Sequence, residues 1–221
     1  MAADRALVVG ASGGIGAALV RELTGRGCTV ATLSRRQDGF DITDEDSVAS
    51  ALDGIGPVDL VIVATGALTC TRDAPEKSLS DLGAPELMAQ IALNALGPAL
   101  VLKHLKPAIP RKARFVFAVL SARVGSIGDN GLGGWYSYRT SKAALNALIH
   151  GAAVELARTH RQAIAICLHP GTVSTSFTAD YPEHEKVTPD TAARNLIDTI
   201  GGLTTRDSGG FRDYAGREIP W

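Results

Sequence analysis

An apolar run at residues 6–9 leads without a break into Gly10-Ala11-Ser12-Gly13-Gly14-Ile15-Gly16, and a helical pattern follows over residues 15–26, ended by Gly27. A strand, a glycine turn and a helix in this order leave few folds open to a chain. Gly10 permits the tight turn. Gly14 and Gly16 remove side chains where a pyrophosphate and a strand must come close. The start of the helix offers free backbone N–H groups and a partial positive charge to phosphate. An isolated loop with the same glycines would carry little meaning. Between strand and helix, they read as a dinucleotide site.

The remainder continues the alternation. Short apolar or β-branched runs at residues 29–33, 40–42, 59–64, 114–120, 164–168 and 211–213 read as further strands. Helical patterns fall between them at residues 44–52, 85–105, 136–158 and 188–200. Thr43 is the expected N-cap of the first of these, with acidic residues in its first turn. Pro98 is an expected irregularity in the second, and Pro189 suits the first turn of the last. Near-continuous apolar strands between helices predict a parallel sheet covered on both faces. The least structured stretches, 68–83, 125–134 and 175–187, include one that follows a strand end, where such sheets bind ligands. A length of 221 residues with no Pro/Ser-rich linker or charge block suits one α/β domain over residues 1–221.

Composition excludes several functions. A net charge of −1 gives no electrostatic case for nucleic acid or an anionic membrane surface. No apolar run reaches the roughly 18 residues of a membrane span, and because the N-terminus leads straight into a strand-like segment no signal peptide is expected. Cys28, Cys70 and Cys167 are odd in number and widely spaced, so buried free thiols in a reducing, cytoplasmic setting are expected. The histidines show no metal-ligand spacing, and no metal is expected.

The end of the second strand selects the cofactor. An acidic residue there would bond the ribose 2′-hydroxyl of NAD. This chain has Ser34-Arg35-Arg36 instead. Arg35 can pair bidentately with a 2′-phosphate, which favours NADP(H) over NAD(H). Asp41 either reaches the adenine amino group or serves as a turn residue.

Tyr138 and Lys142 stand four apart in a helical pattern and so share one face. A free phenol has a pKa near 10, too high for easy proton exchange. An ammonium close by favours the phenolate and lowers that value. In a chain that already holds a dinucleotide turn, the pair predicts a proton donor to a carbonyl oxygen.

With these residues in place, the chain resembles the short-chain dehydrogenases/reductases. The turn is similar to their glycine motif, and Tyr138-Arg139-Thr140-Ser141-Lys142 to their YxxSK segment. Asn94 matches a helix asparagine that supports a water chain to the lysine. His169-Pro170-Gly171-Thr172-Val173-Ser174-Thr175 matches the segment that contacts the nicotinamide amide. Residues 124–139 and the C-terminal Gly209-Gly210-Phe211 segment resemble the C-factor/sniffer-like carbonyl reductases. The resemblance implies a doubly wound Rossmann-type fold of about seven strands in the order 3-2-1-4-5-6-7. It implies reduction of a ketone or aldehyde, with Tyr138 as general acid/base and Lys142 tuning it and holding the ribose. It further implies cofactor contacts from Gly10, Ser12, Gly13, Gly14, Ile15, Gly16, Ser34, Arg35, Asp41, Ile42, Ala64, Thr65, Gly66, Asn94, Tyr138, Lys142, Pro170, Gly171, Val173 and Thr175. A homodimer or homotetramer through the two long helices is implied as well.

Two positions depart from the pattern. Val63-Ala64-Thr65-Gly66 stands where the family often has Asn-Asn-Ala-Gly, and Gly66 still lets the backbone pass close to the cofactor. More seriously, the second of two serines, the one that orients substrate, is Ala122 here. Ser121 can take its place if the strand end shifts, Ser126 can serve instead, or the site lacks the hydroxyl. One lost oxyanion donor slows a reaction by about a hundredfold to a thousandfold. A cofactor-binding sensor or signalling protein with weak chemistry is therefore the alternative to a carbonyl reductase. Residues 175–187, short for the family, are expected to edge the pocket.

Overall fold

The structure is a computed structural model and describes residues 3–178 and 185–221. Strands β1 (Arg5–Val9), β2 (Thr29–Leu33), β3 (Leu60–Val63), β4 (Phe115–Leu120), β5 (Ala163–His169) and β6 (Phe211–Asp213) form one parallel sheet. Their order is β2-β1-β3-β4-β5-β6. The helices are α1 (Gly14–Gly25), α2 (Arg35–Asp38), α3 (Glu45–Leu52), α4 (Ala84–Ile91), α5 (Gly97–Leu105), α6 (Tyr136–Leu156) and α7 (Pro189–Gly202).

Every residue of β3 and β4 is buried. Alternate side chains of a strand point to opposite faces, and here both faces are covered. Leu7, Val9, Val61, Val63, Phe117 and Val119 join residues of α3, α5 and α6 in one core. Ala6, Val8, Leu60, Ile62 and Ala118 join residues of α1 and α7 in the other. Each fully buried aliphatic side chain contributes roughly 1.5–3 kcal/mol, so the two layers hold the sheet from both sides.

The sheet has one strand fewer than expected, because residues 40–42 are not a strand. The short helix α2 ends at Gly39 in the left-handed region, and the Asp41 carboxylate then accepts the N–H (2.9 Å) and hydroxyl (2.7 Å) of Thr43. The chain turns there instead of extending. Phe40 and Ile42 are nevertheless buried and plug the core beneath α5. That leaves β2 at the sheet edge, where its outer residues are partly exposed. With the missing strand removed, the expected order is the observed one. The cap also moves by one residue, since Asp44, not Thr43, accepts the first-turn N–H of Asp46.

The long helix expected over residues 85–105 is divided. Residues Ala92–Leu96 form a π-helical turn between α4 and α5. Pro98 lacks the N–H that would bond the Asn94 carbonyl, and its ring crowds that carbonyl, so the helix widens just before it. The continuous stretch Ala84–Ala108, with a mean hydropathy of 1.3 over its most apolar window, is long and apolar enough to cross a membrane by composition. The residue runs alone did not suggest this. Half of that window is buried in the fold, where Leu100, Val101, Leu102 and Leu105 pack into the core.

Candidate active site

The glycine turn closes on its own backbone. Gly10 adopts φ +87°, and its N–H donates to the Leu33 carbonyl at 2.7 Å, which joins the turn to the end of β2. A Cβ on Gly16 would lie 2.1 Å from the Gly10 carbonyl oxygen, and one on Gly14 would lie 2.6 Å from Thr175 Cγ2. No side chain caps α1 and no acidic residue occupies its first turn, so the amides of Gly14, Ile15 and Gly16 remain without intrahelical partners. Gly10, Ser12 and Gly13 thus shape the turn, and Gly14, Ile15 and Gly16 form a cradle of backbone donors. Across it, the buried Thr65 hydroxyl has no partner. A narrow bed of free donors and an unpartnered hydroxyl fit a dinucleotide.

The β2 edge carries the residues expected to select the cofactor. Arg35 is exposed at the start of α2. Ser34 is buried and caps α2: its hydroxyl accepts the Gln37 N–H and donates to Asp38 at 3.1 Å. The Asp38 carboxylate also accepts the Ser34 N–H at 2.7 Å. A carboxylate therefore does stand near the end of β2, brought back by the turn of α2, though these two bonds already engage it. Asp41 is held as a turn residue, and its bonds to Thr43 keep its pKa below the usual carboxylate range.

A cavity of about 570 Å³ opens at the carboxyl ends of β3, β4 and β5. Ligands bind in this position in open parallel sheets. Gly14, Ile15, Ala64, Thr65, Gly66, Ser121, Tyr138, Lys142, Pro170, Gly171, Val173 and Thr175 all reach it. Ser34, Arg35, Asp41, Ile42 and Asn94 do not line it. The first three stand at the β2 edge, Ile42 is in the core, and Asn94 lies behind the cavity wall.

Tyr138 and Lys142 are 6% and 3% exposed, one turn apart on α6. Lys142 Nζ lies 5.9 Å from the centre of the Tyr138 ring and donates to the Leu120 carbonyl at 2.8 Å. A Cβ on Gly66 would sit 3.4 Å from the same nitrogen. Burial lowers the Lys142 pKa from 10.5 to about 8 and raises that of the Tyr138 phenol. The sequence predicts a lowered phenol. In the chain alone desolvation is the cause that raises it, and burial favours the protonated phenol. Phe177 and Trp135 flank its ring at 5.8 Å and 6.3 Å between centroids. Trp221 lies elsewhere, stacked on Phe211, and Tyr136 is half-buried outside the cavity.

Asn94 is fully buried in the π-helical turn. It accepts the Ala67 N–H and donates to the Ala67 carbonyl, each at 3.0 Å, and donates to Ser141 at 3.1 Å. Gln90 and Glu86 continue the same helix face. Gln90 donates to the Leu68 carbonyl at 2.6 Å, and Glu86 accepts the N–H groups of Cys70 (2.8 Å) and Thr71 (2.6 Å). Burial works against the Glu86 charge, yet these bonds outweigh it and lower its pKa. Glu76 then accepts from Ser137, fastening the same loop to the start of α6. Sequence reasoning missed this ladder. Its signal was three amide or acid residues spaced by four in an apolar helix.

Ser121 stands differently from expectation. Its side chain is buried and gives its hydroxyl proton to Asn146 Oδ1 at 2.7 Å. That counts against Ser121 as donor to a ligand. Ser126 is buried and caps the Asp129 N–H at 3.1 Å, outside the cavity lining. Ala122 does line the cavity. Of the expected loop at its mouth, Phe177 and Thr178 line it, while residues 179–184 lie outside the described residues. Of the three cysteines, Cys28 and Cys167 are buried, and Cys70 is exposed, contrary to expectation.

Comparison with known proteins agrees with this geometry. The sequence model of the family described as short chain dehydrogenase matches residues 4–186. The 1-hydroxy-2-glutathionyl-2-methyl-3-butene dehydrogenase of Rhodococcus sp. (strain AD45) is 34% identical, over 97% of this chain and 98% of its own. C-signal of Myxococcus xanthus is 34% identical over 75% of this chain and 94% of its own. Among solved structures, the carbonyl reductase Sniffer of D. melanogaster superposes with a TM-score of 0.84 at 22% identity, covering 99% of both chains. The NADPH-bound carbonyl reductase from chicken fatty liver gives 0.86 at 21% identity over the whole of both chains. At those identities the structural likeness speaks for the fold.

Proposed function

This chain belongs to the short-chain dehydrogenase family, as an oxidoreductase of the C-factor and Sniffer type, and from that premise we propose that it uses NADP(H) to reduce a ketone or aldehyde. One observation carries the proposal: a buried phenol and a buried ammonium, 5.9 Å from nitrogen to ring centre, face the cavity that the glycine cradle borders. A reduced nicotinamide held here would supply the hydride.

The residues supply the rest. Tyr138 holds a proton because burial disfavours its phenolate. It gives that proton to the substrate oxygen as negative charge grows there. Lys142, anchored on the Leu120 carbonyl, keeps an ammonium beside the phenolate left behind and offers its remaining N–H groups to a ribose. Asn94 fixes the backbone after β3, so that Gly66 stays against Lys142. Leu68, Val124, Trp135 and Phe177 give the cavity an apolar wall suited to the carbon skeleton of a carbonyl compound. Arg35, exposed beside the turn, supports the preference for a 2′-phosphate. Met88, Leu96, Leu148 and Val154 are exposed on the long helices and support pairing of chains there, as a homodimer or homotetramer.

A second reading, a cofactor-binding sensor or signalling protein with slow chemistry, draws on Ala122 and on the similarity to C-signal. One experiment separates the two. NADPH binding is followed by fluorescence, and NADPH oxidation is followed with a panel of aromatic and aliphatic aldehydes and ketones. Turnover supports the reductase. Tight binding with no turnover on any carbonyl supports the sensor.

A further inference from the structure

We propose that His169 supplies the hydrogen bond to the substrate oxygen that Ala122 lacks, donating from Nε2 as a neutral imidazole. The inference rests on the oxidoreductase reading above. His169 ends β5, two residues after Cys167, so both side chains leave the sheet on the face covered by α6. The residue lines the cavity together with Tyr138, Lys142 and Ala122. Neither ring nitrogen has a hydrogen-bond partner among the described residues, and only Nδ1 is itself buried. Nε2 is therefore the nitrogen that reaches the cavity.

A second observation bears on which nitrogen carries the proton. β4 and β5 run in register with Leu120 opposite Leu168, so the next residues, Ser121 and His169, are lateral neighbours. Ser121 gives its proton to Asn146 Oδ1 at 2.7 Å, while Asn146 Nδ2 is buried without a partner. An amide donor lacking an acceptor and a ring nitrogen lacking any partner thus both belong to neighbours of Ser121. Buried polar groups left unpaired are costly, and Nδ1 can accept only in the tautomer protonated on Nε2. That tautomer directs an N–H into the cavity. Burial, with the nearby Arg123 charge, lowers the His169 pKa to about 4, so the ring is neutral at physiological pH. A neutral imidazole polarises a carbonyl by donating a hydrogen bond without surrendering its proton. The proton transferred in the reaction still comes from Tyr138.

The test uses para-nitrobenzaldehyde as the carbonyl, with NADPH affinity measured in parallel. His169→Phe is expected to lower kcat by about a hundredfold, the scale of one lost oxyanion donor, while the Kd for NADPH stays within about twofold. His169→Gln, whose amide still donates, recovers part of the loss. Ala122→Ser placed in the His169→Phe background restores kcat to within about tenfold of the native chain, which a merely structural role for His169 would not allow. Native kcat in His169→Phe overturns the inference, as does a loss that neither change reverses. Nitrogen-15 NMR of the native chain reads the tautomer whether or not the variants fold: a proton on Nε2 supports the inference, and one on Nδ1 overturns it. A native chain that binds NADPH but turns over no carbonyl removes the oxidoreductase reading and this inference with it. An active native chain with an unaffected His169→Phe removes only the inference.

Discussion

The two sides of the candidate site are made of different material. On the β1–β2 side the cradle is backbone: Gly10 N–H on Leu33, Gly13 N–H on Gly10, and the uncapped amides of α1. On the β4–β5 side the cavity is lined by the buried polar side chains of Tyr138, Lys142 and Ser121, with buried Asn94 and Asn146 behind them. A backbone cradle is indifferent to most chemistry but cannot admit a Cβ. A side-chain wall tolerates a changed residue only if every buried partner is still satisfied. The serine-to-alanine departure falls on the second side, where a neighbouring side chain can compensate for it.

Gly16→Val should break the cradle side with the largest effect. Its Cβ would lie 2.1 Å from the Gly10 carbonyl oxygen. Overpacking of this kind costs about 1–3 kcal/mol, seen as a lower melting temperature. NADPH affinity, read by fluorescence, should fall by more than about a hundredfold as the first-turn donors move, each charged hydrogen bond contributing roughly 1.5–3 kcal/mol. Arg35→Ala should act more narrowly. NADPH binding weakens by about ten- to a hundredfold, one lost charged contact, while NADH binding is unchanged. Equal losses for both cofactors would remove Arg35 from the phosphate.

The side-chain wall is probed by pH. Burial lowers the Lys142 pKa to about 8, so the ammonium is present below that pH and lost above it. Since kcat/KM reports groups in the free enzyme, it should be level below pH 8 and fall about tenfold per unit above it. A level profile through about pH 10 would mean that no ammonium is needed. Ser121→Ala should have the smallest catalytic effect. It leaves Asn146 Oδ1 buried without its donor and costs about 1–3 kcal/mol in a denaturant melt, yet kcat should change by no more than about threefold. A hundredfold loss would return Ser121 to the reaction.

The same contrast explains what the sequence disclosed. The glycine turn, the alternating apolar strands and the Tyr138–Lys142 spacing depend on local periodicity, and the fold reproduces them. The strand expected at residues 40–42 depended on whether Asp41 would engage Thr43, a bond between two polar side chains that no hydrophobic pattern records. Asp38 reached the end of β2 for a similar reason, carried there by the turn of a four-residue helix. Glu76 and Asn146 are far in sequence from the residues they hold, Ser137 and Ser121, and only tertiary contact joins them. The raised phenol pKa was also hidden, because it comes from the depth of burial and not from the neighbouring charge.

The account stands most directly on the Tyr138 hydroxyl. Tyr138→Phe removes one oxygen and keeps the ring between Trp135 and Phe177. With NADPH and a carbonyl that the native chain reduces, kcat should fall by about a hundredfold to ten-thousandfold, the range for a lost general acid, while NADPH still binds. A Tyr138→Phe chain that keeps most of its turnover would contradict the claim that this phenol delivers the proton.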